Sequence, residues 1–323
     1  INPESINYYL TFGYVPVPMS IYQEVFKLAP AHFLLFTNGE VKVKRYWQLD
    51  YSKKLDISEA EASEQVIDLL KEAVKIRLYS DVPLGAFLSG GIDSSTVVAL
   101  MSQLSGKKVK TFSIGFEDDD YNELSCAKAI ADKFGTEHHE FIVKPVALEI
   151  LPLLVERYGE PYADSSCIPT YYVAKETKRF VTVALNGDGG DELFAGYERY
   201  QAMMFAEYFQ KIPYAAKSIV KNFSRLLPDS VDAKNNLRRL KRFIDGAMLP
   251  FNKRYAKWIG IFDDNLKEEI YSEDFKRHIV NADGVGYISN FFNGNQNYGL
   301  LDKLLNADVN TYLLNDLLVK VDI

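Results

Sequence analysis

Gly85-Ala86-Phe87-Leu88-Ser89-Gly90-Gly91-Ile92-Asp93-Ser94-Ser95 runs from an apolar strand pattern through two glycines into the start of a helix. Backbone N–H groups and a helix N-terminus then face the same point, the arrangement that receives an anion such as phosphate. Gly90 and Gly91 let the backbone come close, and Ser89, Ser94 and Ser95 add hydroxyls where phosphate oxygens would lie. A plainer reading is a tight strand-to-helix turn in which Ser and Asp only cap the helix. Neither common nucleotide fingerprint fits: one needs Gly-Lys-Ser/Thr, and the other needs a third glycine.

Outward from this stretch, residues 82 to 200 alternate strand and helix patterns, which predicts an α/β fold: a parallel sheet with helices on both faces. Strands are expected at Leu84–Leu88, Val109–Phe116, His138–Ile142 and Phe180–Asn186. Helices are expected near Ser94–Ser105, Asn122–Phe134, Glu149–Tyr158, Ile168–Lys178 and Glu192–Met204. Upstream, Ser58 with Glu59 and Glu61 opens a helix to about Tyr79. Residues 1–58 read as a small β-rich piece with a hairpin about Asn38-Gly39, a piece that leans on a neighbouring domain. Beyond residue 201 helical periodicity takes over, as in Ala216–Leu227, Asn236–Ala247 and Leu304–Val321, so 201–323 is expected as an all-α C-terminal extension of a 59–200 core.

Asn186-Gly187-Asp188-Gly189-Gly190-Asp191-Glu192 again puts a glycine-rich loop after an apolar strand. Asp188, Asp191 and Glu192 crowd negative charge that a cation would relieve, although acids at a helix start are also welcomed by the helix dipole. Two such loops at strand ends of one sheet point to a ligand site there.

Ser-Gly-Gly-x-Asp-Ser resembles the pyrophosphate loop of the ATP pyrophosphatases, which cleave ATP between its α and β phosphates. The segment from Gly187 through Asp191-Glu192-Leu193-Phe194 to Gly196-Tyr197 narrows this, because it resembles asparagine synthetase and its relatives. Glu160-Pro161-Tyr162 through Ser165-Ser166 and Pro169, and Asn7-Tyr8-Tyr9-Leu10 through Pro16, look like further blocks of that family. The resemblance implies ATP with Mg²⁺, a carboxylate acceptor and ammonia. It places Phe87, Leu88, Ser89, Gly90, Gly91, Asp93, Ser94, Ser95, Ile114, Asn186 and Gly187 at ATP, Asp93 and Asp191 at Mg²⁺, Asp188 and Glu192 in catalysis, and Asp316 and Lys320 at the acceptor.

Asp188 stands where the best-known bacterial members have glutamate, which leaves the acceptor open between aspartate and a sugar or peptide carboxylate. The family's glutaminase nucleophile is an N-terminal cysteine, and neither Cys126 nor Cys167 can be it, so glutamine hydrolysis is not expected of this chain; the resemblance of Asn7 through Pro16 and of Arg45-Tyr46-Trp47 implies that residues 1–58 are the tail of that domain. The resemblance also implies a pyrophosphate lysine downstream of Ile323 and hence weak activity for this stretch alone. Another ATP pyrophosphatase, or an ATP-binding domain without chemistry, are the competing readings.

Composition excludes other classes. Lys plus Arg number 37 against 44 Asp plus Glu, a net charge of −7, opposite to what a nucleic-acid partner requires. The Arg238-Arg239-Lys241-Arg242 cluster reads as a solvated helix face. Two cysteines make no disulfide framework, which suits a cytoplasmic setting, and no apolar run approaches a membrane span. Adjacent His138 and His139 would point to opposite sides of a strand, a poor pair for a metal. The start at Ile1 and the stop inside a helical pattern read as cut ends, and a homodimer stays open.

Overall fold

Asn2-Pro3 opens a helix and Gly13 closes it. In the computed structural model, which describes residues 1–116, 123–144, 146–226, 236–280, 282–293 and 297–323, helix α1 spans Pro3–Phe12. The Asn2 side chain accepts from the Glu4 amide, proline occupies the first turn, and Gly13 (φ 87°) bonds back to Tyr9. Residues 1–58 are therefore not only β-rich. They do contain the expected hairpin, β1 (His32–Thr37) and β2 (Glu40–Arg45), closed by Asn38 and Gly39 with φ of 54° and 81°. Both central residues left-handed is the turn that matches strand twist.

The chain then builds a sheet. Helix α2 (Glu59–Arg77) begins at a capping box in which Ser58 and Glu61 satisfy each other's backbone amides. It is followed by β3 (Leu84–Phe87), α3 (Ile92–Leu104), β4 (Lys110–Phe116), α4 (Leu124–Phe134), β5 (Glu137–Val143), α5 (Ala147–Tyr158), α6 (Cys167–Thr177) and β6 (Val183–Leu185). All pairings are parallel, in the order β5-β4-β3-β6. The sheet and its helices are those expected; Asn122, expected at the start of α4, lies outside the described residues. Crossovers run one way from β3 to β5, then reverse to reach β6. Right-handed connection puts α3 and α4 on one face and α6 on the other. Val74, Ala86, Leu88, Val98, Met101, Ala127 and Ala131 form the buried seam between α2–α4 and the sheet.

Helices make up the remainder: α7 (Gly190–Phe194), α8 (Glu198–Gln210), α9 (Tyr214–Leu226), α10 (Asn236–Ala247), α11 (Phe251–Ile259), α12 (Asp264–Ile270), α13 (Glu273–His278), α14 (Gly284–Asn293), α15 (Leu300–Asn310), a π-helical turn at Leu313–Leu317, and α16 (Leu318–Asp322). Leu227, expected in α9, is outside the described residues. Two expected helices are broken. The one at Glu192–Met204 parts into α7 and α8, where Ala195 takes φ 59° and Asp191 fills the space that any side chain at Gly196 would need. The one at Leu304–Val321 breaks at Thr311 (φ −128°, ψ −77°) and continues through the π turn.

Two compact units result, each drawing on separated stretches. One gathers Ile1–Lys53, Tyr158–Ala163 and Asp191–Val319; the other gathers Lys54–Arg157, Asp164–Gly190 and Lys320–Ile323. The first has its own aromatic core, Tyr8, Phe12, Tyr200, Tyr255, Ile288, Phe292 and Leu304. The second is the sheet with its helices. No helix among the described residues is long and apolar enough to cross a membrane.

Candidate active site

The sheet unit carries both glycine loops. After β3 the chain turns at Gly90 (φ 84°) and enters α3 at Gly91, with no side chain capping the first amides of the helix. Those amides have no partner inside the helix and add to the positive end of its dipole. Ser94 is buried, and its hydroxyl ties the loop together at 3.0 Å from Ser89 Oγ; Ser89 Oγ in turn accepts from Gly91 N at 3.2 Å. Ser95 Oγ is enclosed and has no hydrogen-bond partner in the protein. Two of the three hydroxyls thus shape the loop, and the third is left unsatisfied at its floor.

After β6 the second loop comes down on the first. A Cβ at Gly187 would lie 2.7 Å from Ser94 N, and one at Gly190 would lie 2.4 Å from Asp93 Cγ. Only glycine lets the two backbones meet so closely. This junction falls between β3 and β6, where the strand order reverses and open α/β sheets take their ligands. Asn186 donates to Asp188 Oδ2 at 2.7 Å and holds the Asp188 side chain at the loop surface.

Beside the first loop, a cavity of about 260 Å³ opens between the ends of β3 and β4, the start of α4 and the first turns of α6. Phe87, Leu88, Ser89 and Ile114, named above for ATP, are among its lining residues. Phe112, Phe116, Leu124, Pro169 and Val173 line it too, and the sequence reading missed them. A signal was present for Phe112 and Phe116, apolar positions of a strand running to the carboxyl edge, whereas Leu124, Pro169 and Val173 come from α4 and α6. The lining is mostly apolar, with Ser89, Ser113, Glu123 and Thr170 as its polar members, which suits a flat aromatic group rather than a charged one.

On the other flank of the second loop, Lys320 Nζ donates to Ser166 Oγ at 2.8 Å and lies 3.3 Å from Asp164 Oδ2. The Ser166 hydroxyl donates to Asp164 Oδ2, and the Ser166 amide donates to Asp164 Oδ1 at 2.9 Å. Burial works to raise the Asp164 carboxyl, but the Ser166 hydroxyl, its amide and the Lys320 ammonium together hold it below its usual value. Asp188 goes the other way: loss of hydration raises its carboxyl, Lys320 pulls it down and Asp164 pushes it up. Asp188 itself is exposed.

The remaining expected residues belong to the helical unit. The Asp191 side chain lies against Gly196. Glu192 is fully buried; one carboxyl oxygen accepts from Tyr197 and the other has no partner. Burial raises its carboxyl, and the Tyr197 hydroxyl opposes this. A group with no exposed surface meets no solute in this conformation, which leaves the exposed Asp188 and the half-buried Asp191 as the accessible acids of the loop. Asp316, 6% exposed, accepts from Tyr162 at 2.6 Å. Asp316, within the π turn, and Lys320, four residues on in α16, are thus counted in different units. His138 bonds Thr111 at 2.9 Å while His139 stacks on Phe112 and Phe180. Among the described residues no cluster of three or more metal-binding side chains occurs.

A family model described as Asparagine synthase matches residues 65–323. The chain is 31% identical over its whole length to asparagine synthetase [glutamine-hydrolyzing] 1 of Bacillus subtilis, covering 49% of that protein. It is 37% identical over 84% of its length to a putative asparagine synthetase [glutamine-hydrolyzing] 2 of Methanocaldococcus jannaschii, covering 53% of it. A further relative is named an amidase, chyE of Penicillium rubens, 31% identical over 58% of this chain and 31% of its own. The chain spans about half the length of the two synthetases it matches.

Proposed function

We propose, because this chain belongs to the asparagine synthase family, that it is the synthetase part of a longer protein that joins ammonia to a carboxylate at the expense of ATP. The observation that carries the reading is the junction of the two glycine loops: uncapped helix amides, an unsatisfied Ser95 hydroxyl and backbone approaches that a single Cβ would abolish. Such a cradle fits a polyphosphate, and the adjoining apolar cavity fits its base.

In the proposed sequence the acceptor carboxylate oxygen attacks the α-phosphorus of ATP, the bond to the β-phosphate oxygen breaks, and pyrophosphate leaves. Bringing two anions together makes positioning and charge neutralisation the main catalytic task. The α3 amides and the Ser89–Ser95 loop would hold the departing pyrophosphate. Asp93 would hold Mg²⁺, which when bound would neutralise charge on the phosphates; the family resemblance also names Asp191 for this role. Ammonia then attacks the acyl carbon, AMP leaves, and the proton shed by nitrogen passes to Asp188, a role worth about 10²- to 10⁴-fold. The raised carboxyl of Asp188 makes it a better proton acceptor than an ordinary aspartate.

Aspartate is the leading acceptor, with ammonia drawn from glutamine by the remaining part of the full-length protein. The short Asp188 side chain, and a relative named an amidase, support a second reading in which another carboxylate takes its place. Pyrophosphate release by the full-length protein with ATP, Mg²⁺ and ammonia, compared across aspartate and a panel of sugar and peptide carboxylates, tests both readings. Release that needs no carboxylate at all would overturn them. Asp188→Ala should keep ATP binding and lose amide formation; near-normal amidation would remove it from the mechanism.

A further inference from the structure

Lys320 is an ammonium with almost no exposed surface, 8% for its side chain, paired with Asp164, itself only 16% exposed. Its neighbours are arranged as a relay. Asp164 takes both the amide and the hydroxyl hydrogen of Ser166, so the Ser166 oxygen has only lone pairs left to offer, and these accept from Lys320. Asp164 and Ser166 are both fixed before the first turn of α6, at the carboxyl edge of the sheet. An ammonium has three hydrogens, and this relay uses two of them. Lys320 and Asp164 both lie near enough to Asp188 for their charges to act on its carboxyl.

We propose that Asp164 is a positioning residue which, through Ser166, locks the Lys320 ammonium in one rotamer so that its remaining hydrogen meets the anionic acyl-phosphate group beside Asp188. The inference rests on the amidation reading for the identity of that anion, and on the geometry alone for the locking. A free lysine side chain carries about 2 kcal/mol of rotamer entropy, which a single contact does not overcome. The two-point seat removes that freedom in advance and leaves the charge in place for the transition state. Asp164 itself touches no reacting atom. It acts on Lys320, and this makes its effect separable.

The test is a double-mutant cycle in the full-length protein. Asp164→Asn should lower kcat for pyrophosphate release on the order of 10²-fold, the cost of a misplaced catalytic contact, while leaving KM for ATP nearly unchanged. Lys320→Met should do the same. The double variant should be no slower than Lys320→Met alone, because a residue that acts through another has nothing left to do once its partner is gone. Ser166→Ala, which keeps the Asp164 charge but breaks the relay, should fall between wild type and Asp164→Asn. Multiplying effects in the double variant would overturn the proposal. A second readout needs no catalysis: acylation of Lys320 by an amine-reactive reagent, followed by mass spectrometry. Loss of the carboxylate partner in Asp164→Asn opens one side of the seat and should speed labelling on the order of tenfold, because a hydrogen bond from a charged group no longer holds the amine away from the reagent. If no carboxylate supports pyrophosphate release by the wild type, the amidation reading fails while the labelling still decides the locking. An unchanged labelling rate would end the proposal by itself.

Discussion

Replacing Gly90 with alanine isolates what the first loop demands of its backbone. Two separate costs apply. At φ 84° an L-residue is in the left-handed region, at roughly 1–2 kcal/mol. The added Cβ would also stand 2.6 Å from Cys126 Cβ and 2.7 Å from Ala127 N, in the wall formed by α4. These are backbone and near-backbone atoms that cannot swing aside, so overpacking adds about 1–3 kcal/mol. The sum is about 2–5 kcal/mol. Gly91→Ala provides the control: its φ is −67°, and the only close atom is the mobile Ser89 Oγ at 3.3 Å, so its loss should stay below ~1 kcal/mol. Hydrogen exchange of peptides covering β3 and α3 in the full-length protein reads the sheet unit locally, with each ~1.4 kcal/mol multiplying exchange about tenfold. Exchange in Gly90→Ala that matches wild type, or equal damage from Gly91→Ala, would refute the reasoning.

Two further outcomes follow from buried charge and from the shifted carboxyl. Asp308 is fully buried and accepts from Tyr200 at 2.5 Å, from Tyr255, and from Arg199 at 2.6 Å, while the Arg199 guanidinium stacks 3.7 Å from the Tyr197 ring. Asp308→Asn leaves that guanidinium without its anion and should cost about 3–5 kcal/mol, seen as an earlier loss of tryptophan fluorescence from Trp258 on heating; a loss under ~1 kcal/mol would contradict a structural hub. For Asp188, burial raises the carboxyl above the ordinary 3.8, so its proton-accepting form is gained only as pH rises through that higher value. The acidic limb of kcat for amide formation should therefore lie above 3.8, and Lys320→Met should push it higher by removing the opposing cation; a limb at or below the ordinary value would exclude Asp188 as the base.

Local chemistry made much of this legible before any coordinates. The glycine turns, the Ser58–Glu61 capping box and the Asn38-Gly39 hairpin are each decided within a few residues, where backbone sterics and single hydrogen bonds dominate. Helix α1 was equally readable from Asn2, Pro3 and Gly13, but the caps were not given their weight. The order of alternating strands and helices likewise implied a parallel sheet, because parallel strands need a crossover.

Tertiary structure alone decided the rest. Nothing in the run Glu192–Met204 announces a break, since the Asp191 side chain sets it by occupying the space at Gly196. The π turn before Lys320 breaks a helical periodicity that reads as continuous in one dimension. Asp164 and Lys320 lie 156 residues apart, and Asp308 meets Tyr200 and Tyr255 across 108 and 53. Sequence carries propensities and turn chemistry because those are short-ranged, whereas the pairing of buried charges is fixed only when packing removes their water and leaves each one partner to find.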